Sequence, residues 1–237
     1  MRSRSTVMIP LALAGLAGLL GGSAAQARGQ DTRPGIAVFM FDNGGSIGQD
    51  KENFDGLQRG IPGMLISELA ANPGVRLVER EQVQHLLDEQ NLGTSGRVDA
   101  QTAAKVGKIV GAKYAITGMF LDFSGDFRLD IRLINVETTE IVRVEADKMS
   151  RDHLFDLIRT LAQRLMKDVN LPPLPRQTSD QRMNRQVPTE ALTYYSRALL
   201  YHDRGQHDKA IEMYQRALDA FPGYTEAQEG LQREKTS

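Results

Sequence analysis

The stretch Val75-Arg-Leu-Val-Glu-Arg-Glu-Gln-Val-Gln-His-Leu-Leu-Asp-Glu-Gln-Asn-Leu92 changes hydrophobic period in mid-course. Val75, Leu77 and Val78 follow the turn signal Asn72-Pro73-Gly74 and suit a strand, whereas Val83, Leu86 and Leu87 recur at i, i+3 and i+4, the spacing of one buried helix face. Residues 75–78 are therefore expected to enter a sheet and 80–91 to cover it. A strand running straight into a helix points to a sheet with helices packed on it, and the flanking segments keep that frame.

Upstream, Gly35-Ile-Ala-Val-Phe-Met-Phe41 is a continuous apolar run between Pro34 and Asp42-Asn43-Gly44-Gly45, the pattern of a strand buried on both faces. Leu57, Ile61, Leu65 and Leu69 form an i, i+4 stripe. It predicts a helix over 54–71, with Pro62 either kinking it or marking where its regular part begins. Downstream of the turn Gly93-Thr-Ser-Gly96, Asp99 is placed to cap a helix that buries Ala103, Val106 and Val110, and Gly111 is placed to end it. Three alternating segments follow. Tyr114, Ile116, Gly118 and Phe120 share one side of the first; Phe127, Leu129, Ile131 and Leu133 oppose Arg128, Asp130 and Arg132 on the second; 141–147 is the third. The short connections Ser124-Gly125 and Glu137-Thr138-Thr139 make them an antiparallel meander with one wet face. Ser150 is expected to cap a last helix carrying the stripe Leu154, Leu157, Ile158, Leu161 and Leu165. The order β-α-β-α-α-β-β-β-α over 35–169 is an α/β (α+β) fold, a mixed sheet with helices packed on it.

Leu171-Pro-Pro-Leu-Pro175 ends that helix, and 170–189 reads as a Pro-rich polar linker without hydrophobic period. Beyond it, within 190–237, Tyr194, Ala198, Tyr201, Gly205, Ala210, Tyr214, Ala217 and Pro222 fall at the offsets of the tetratricopeptide pattern over 191–224. Small residues in that pattern let two antiparallel helices approach while aromatics fill the gap. Tyr194 replaces the usual Trp, Ala198 the Gly and Tyr214 the Phe; Arg197 at the usual Leu position departs more. Residues 225–231 are expected to begin a capping helix. Such units normally need about three copies to bury their faces, so this one must dock. It packs against 35–169 or offers Tyr194, Tyr201 and Tyr214, which are also the pattern's own packing positions, to another chain.

Residues 1–27 read as a cleaved secretory signal: basic Arg2 and Arg4, an apolar run from Val7 to Leu20, and the small-x-small site Ala25-Gln26-Ala27. A short tail, 28–34, precedes the domain. The chain has no cysteine, which excludes disulfides, thiolate metal sites and thiol nucleophiles; Ser23 stands where an acylated cysteine would have to be. Loss of Arg2 and Arg4 leaves 27 basic residues against 30 acidic, a formal charge of −3. That balance argues against nucleic acid as a partner.

The sequence holds no recognisable reaction centre. His85, His153, His202 and His207 are scattered singly, without metal-ligand spacing. Glu79 and Glu81 flank Arg80 where negative charge favours a helix start. The loop Gly44-Gly45-Ser46-Ile47-Gly48 lacks the glycine spacing and the Lys of a phosphate cradle. No catalytic, metal or cofactor site is expected. The residues singled out are Arg128, Asp130 and Arg132 on the wet sheet face, with Arg143 and Glu145 expected to join them. They form either a solvated face with cross-strand ion pairs or a surface for a neighbouring subunit or partner.

Four blocks carry a family resemblance: Gly35–Asn43, Leu77-Val-Glu-Arg-Glu-Gln-Val-Gln-His-Leu-Leu-Asp-Glu89, Ala112-Lys-Tyr-Ala-Ile-Thr-Gly118, and Leu129-Asp-Ile-Arg-Leu-Ile-Asn-Val-Glu-Thr-Thr-Glu-Ile141. In this order, over about 35–148, the chain resembles the curli production assembly/transport (CsgG) family. The resemblance implies a periplasmic α/β domain. In the family's best-known members it implies an outer-membrane lipoprotein ring that exports unfolded amyloid subunits. The wider group shares its fold with the amino-terminal domain of TolB and with outer-membrane activators of cell-wall synthases. Channel members insert two long hairpins, one after the third strand and one after the meander. Here those places hold Phe123-Ser-Gly-Asp-Phe127 and the charged amphipathic helix 151–168. The expectation is a non-enzymatic periplasmic scaffold of an export or surface-structure system that reaches a membrane only through a partner. It would bind envelope proteins or further copies of itself through the sheet face and carboxyl-terminal helices. The alternative is an adaptor or activator of a cell-wall synthase; a small-ligand sensor built on 42–50 comes third.

Overall fold

A computed structural model describes residues 31–89, 98–168, 178, 181 and 184–236. The segment expected to be a signal, with Ala25 and Ala27, the turn expected at 93–96 and the prolines at 171–175 lie outside the described residues. The elements of the first domain are β1 (Gly35–Asn43), α1 (Lys51–Ala70), β2 (Arg76–Leu77), α2 (Arg80–Glu89), α3 (Ala100–Ile109), β3 (Tyr114–Phe123), β4 (Asp126–Asn135), β5 (Ile141–Ser150) and α4 (Leu154–Asp168). Three further helices follow: α5 (Thr189–Asp203), α6 (His207–Ala220) and α7 (Thr225–Thr236).

The five strands form one mixed sheet in the order β2-β1-β3-β4-β5, with β1 parallel to β2 and β3 and the last three antiparallel. The 75–92 stretch does what its two periods require: Arg76 and Leu77 pair with Gly35 and Ile36, and α2 begins three residues later. β1 is buried on both faces. Ile36, Val38 and Phe41 enter the cluster under α1 and α4, while Ala37 and Phe39 enter the smaller cluster under α2 and α3. A register shift between Val38 and Phe41 keeps both on the same side. The meander closes through Ser124 and Gly125, both at positive φ (54° and 106°), as a two-residue hairpin turn requires.

Local signals hold with two adjustments. Asp99 accepts a 2.7 Å hydrogen bond from the Thr102 N–H and caps α3, and Gly111 follows that helix at φ 66°. Pro62 lies inside an α1 that starts at Lys51, so it does not mark the helix start. Ser150 makes no side-chain cap; it ends β5, and a 3-10 turn over Arg151–His153 feeds α4 instead.

Candidate interaction surfaces and the docked helical module

The two faces of the sheet are covered unequally. α1 and α4 cover one face, where Phe127, Leu129, Ile131 and Leu133 are buried. On the other, α2 and α3 cover Ala37, Phe39, Ala115 and Ile134, at the β1 end. Among the described residues no helix covers the β4–β5 end of that face. Register places Arg128 opposite Lys148, Asp130 opposite Ala146 and Arg132 opposite Val144 there. Arg128 grips Asp130 along its own strand at 2.8–3.1 Å. Arg143 and Glu145 do not join them. They pair with Leu133 and Ile131, so strict alternation turns both toward α4, where Glu145 receives Arg143 at 2.8 Å and Arg164 at 3.7 Å.

What joins Arg128, Asp130 and Arg132 is apolar. Val144 is 55% exposed and Phe123 61%, with Ile141 and Val142 both at 47%. β5 ends the sheet, and among the described residues no strand pairs with its outer edge. A ten-residue edge strand rich in exposed β-branched side chains is a site that natural folds ordinarily blunt unless it is used.

The helical module docks on the α/β domain. α5 lies along α1 over Gly56, Gly60 and Gly63: a Cβ on Gly56 would sit 3.1–3.2 Å from the Ser196–Arg197 backbone, one on Gly60 would overlap the Ser196 side chain, and one on Gly63 would lie 2.9 Å from the Tyr195 hydroxyl. Arg197, the departure from the tetratricopeptide pattern, serves this contact by pairing with Glu52 of α1. The Tyr201 hydroxyl donates to the same carboxylate at 2.7 Å, and that bond, ahead of the nearby arginines, holds the Glu52 carboxyl below its ordinary value. Asp203 is clamped by Arg59 of α1 at 2.7 Å and Arg80 of α2 at 2.9 Å. Burial alone would raise the Asp203 carboxyl, but the two guanidiniums outweigh it and hold it low. Glu226 of α7 binds Arg185 and Ser67 and is likewise held low against its burial. Arg185 and the buried Val187 belong to the stretch read as a linker, in which Thr178, Gln181 and Asn184 have helical backbone.

Tyr214 (2% exposed) and Tyr201 (6%) are internal, and Tyr194 is half-buried beneath the Arg216 guanidinium. Ala198, Ala210 and Ala217 are fully buried between the helices, Gly205 makes the turn at φ 67°, and Pro222 lies between α6 and α7. A cavity of about 690 Å³ remains where the module meets the α/β domain, lined by residues that include Glu79, Arg80, Glu81, Arg185, Glu226 and Arg233.

Four amides of the glycine-rich loop are committed. The Gly44 N–H bonds the Phe120 carbonyl, those of Gly45 and Ser46 bond Asn43 Oδ1, and that of Ile47 bonds the Asp122 carbonyl. These four amides are therefore turned to the protein's own acceptors. The histidines are not all single, however. His202 and His207, across the Gly205 turn, converge on Glu234 of α7; a histidine pair five apart spanning a hairpin turn was the available signal, and its third member is 27 residues further on.

Among the described residues no helix is long and apolar enough to cross a membrane. A comparison with curated proteins finds no match. Among solved structures, the C-terminal domain of LpoB from Escherichia coli is 20% identical, with 49% of this chain and 82% of that one covered at a TM-score of 0.40. TolB from Acinetobacter baumannii is 13% identical, with 59% and 29% covered at 0.42. A PelC dodecamer from Paraburkholderia phytofirmans is 11% identical, with 60% and 90% covered at 0.38. The family described as curli production assembly/transport component CsgG matches residues 22–128, and the tetratricopeptide repeat matches 191–224. The chain thus carries a CsgG-family domain followed by one tetratricopeptide repeat.

Proposed function

We propose that this protein is a non-enzymatic assembly component of a bacterial envelope, working in the periplasm by protein–protein binding in an export or surface-structure system. The observation that carries the reading is the bare half of the sheet: Arg128, Asp130 and Arg132 flanked by exposed Val144 and Phe123, beside the open edge of β5. A second copy of the chain or another envelope protein would cover it. The CsgG-family match supports the compartment and the class of system. The module supports the division of labour, because Tyr195, Tyr201, Tyr214 and Tyr224 are spent on the protein's own interior and leave the sheet to meet partners.

Two measurements test this. The chain from residue 28 onward is expected to self-associate in light scattering, and Arg128→Glu with Arg132→Glu and Val144→Asp is expected to return it to monomer with unchanged far-UV circular dichroism. Cross-linking in cells is expected to recover envelope export or surface-assembly proteins. Recovery of a cell-wall synthase without export components would replace this reading with that of a synthase adaptor.

A further inference from the structure

His202 lies in the last turn of α5, His207 opens α6 and Glu234 lies in the last turn of α7, so the three helices of the module each give one side chain to a single point. Their ligand atoms lie within 4.8 Å of one another. Nδ1 of His202 is 2.5 Å from one carboxylate oxygen of Glu234 and Nδ1 of His207 is 2.8 Å from the other. The two rings stand edge to face, their centroids 6.3 Å apart. The Glu234 side chain is 2% exposed, whereas those of His202 and His207 are 31% and 55% exposed. The buried carboxylate is thus the floor of the site, and the imidazoles are its walls, open to solvent.

We propose that His202, His207 and Glu234 bind a divalent transition-metal ion of the zinc class. Two imidazoles and one carboxylate with an open fourth position form a donor set that zinc accepts, and imidazole donors disfavour magnesium and calcium. A tetrahedral ion held at zinc bond lengths needs nitrogen–oxygen spacings of about 3.3 Å. The two nitrogen–oxygen spacings, 2.5 and 2.8 Å, would have to open by about 0.5–0.8 Å to reach it. The imidazole edges bond the carboxylate directly through Nδ1. On binding, each neutral imidazole shifts its proton from Nδ1 to Nε2 by exchange with solvent and gives the Nδ1 lone pair to the ion, so no net proton is released. From imidazolium, the proton is released to solvent, and affinity therefore falls as pH is lowered. The ion would fasten α7 to the α5–α6 turn, next to Asp203, which ties the same turn to Arg59 and Arg80. A single repeat lacks neighbours to stack on, and this clip supplies a link of that kind. The inference stands apart from the proposed function and involves none of the sheet-face residues.

The test is calorimetric titration of the chelator-stripped protein with Zn2+, with Co2+ as a spectroscopic probe. One equivalent of Zn2+ is expected to bind and raise the melting temperature, as a ligand specific for the folded state must; Co2+ is expected to develop the visible absorption of a low-coordinate site. His207→Ala, at a half-exposed position, and Glu234→Gln, which keeps a hydrogen-bonding side chain, are each expected to weaken binding at least about tenfold, the loss that even supporting residues of a metal site cause. Far-UV circular dichroism confirms that both variants fold. Absence of saturable binding by the folded protein, or binding that neither substitution weakens, would overturn the assignment and leave an ordinary histidine–carboxylate hydrogen-bond cluster.

Discussion

Asp203 stands between two guanidiniums that come from two other helices, and its side chain is only 10% exposed. Removing one member of such a group leaves a buried charge uncompensated, which costs about 3–5 kcal/mol. Asp203→Asn is expected to lower stability by that amount in urea denaturation, and combining it with Arg80→Met is expected to cost less than the sum of the two single changes, because the second removes a charge the first orphaned. Additive losses would show that the two side chains are not coupled. In the sequence Arg80 is a cation between Glu79 and Glu81, and the helix-start reading accounts for those neighbours. Its main partner is 123 residues away, a separation no local pattern encodes. Arg197 was more legible, since it broke the tetratricopeptide pattern at a position meant for Leu; the break marked a residue with another task, though not its partner Glu52.

At the scale of elements, the legible parts are those in which period and punctuation agree. The change from alternation to helical spacing within 75–92, the Asp99 cap and the Ser124-Gly125 turn are local facts of backbone chemistry, and all appear in the fold. The stripe of Leu57, Ile61, Leu65 and Leu69 identified the face that α1 turns to the sheet, but α1 is buried on a second face too, where Gly56, Gly60 and Gly63 recur at i, i+4 and i+7. An apolar-periodicity reading passes over glycine, so the docking face went unseen. In an exposed helix, Gly→Ala stabilises by about 1 kcal/mol. At Gly60 the opposite is expected, since the new methyl group overlaps Ser196. Gly60→Ala should lower the urea midpoint, and Ser196→Gly, which removes the obstructing atoms, should abolish that penalty when the two are combined. A raised midpoint for Gly60→Ala alone would mean that α5 does not press on α1 in solution.

Across the whole molecule, one apolar cluster runs from the sheet through α1 into the helical module, joining Phe127 and Met64 to Tyr195, Tyr214 and Tyr224. The order of elements is readable because each is short-range; the docking that unites them depends on contacts between distant segments, which no local pattern encodes. Among the carboxylates that cross the junction, Glu52, Asp203 and Glu226 are held below their ordinary values of 4.5 for Glu and 3.8 for Asp. A carboxyl depressed by folding contributes stability that is complete above its unfolded value and is lost as pH falls through the folded one. Stability is therefore expected to be level near neutrality and to decline below about pH 4. Five of the six tyrosines, Tyr194, Tyr195, Tyr201, Tyr214 and Tyr224, lie in the module and the chain has no tryptophan, so near-ultraviolet circular dichroism reports the module while far-ultraviolet dichroism reports the whole. If the continuous core makes one cooperative unit, the two signals should share a midpoint in acid titration. Each substitution at the junction, Asp203→Asn included, should move both midpoints together toward higher pH. A tyrosine signal lost while the far-ultraviolet spectrum persists would show instead that the module detaches first, and that acid separates the repeat from an α/β domain able to stand alone.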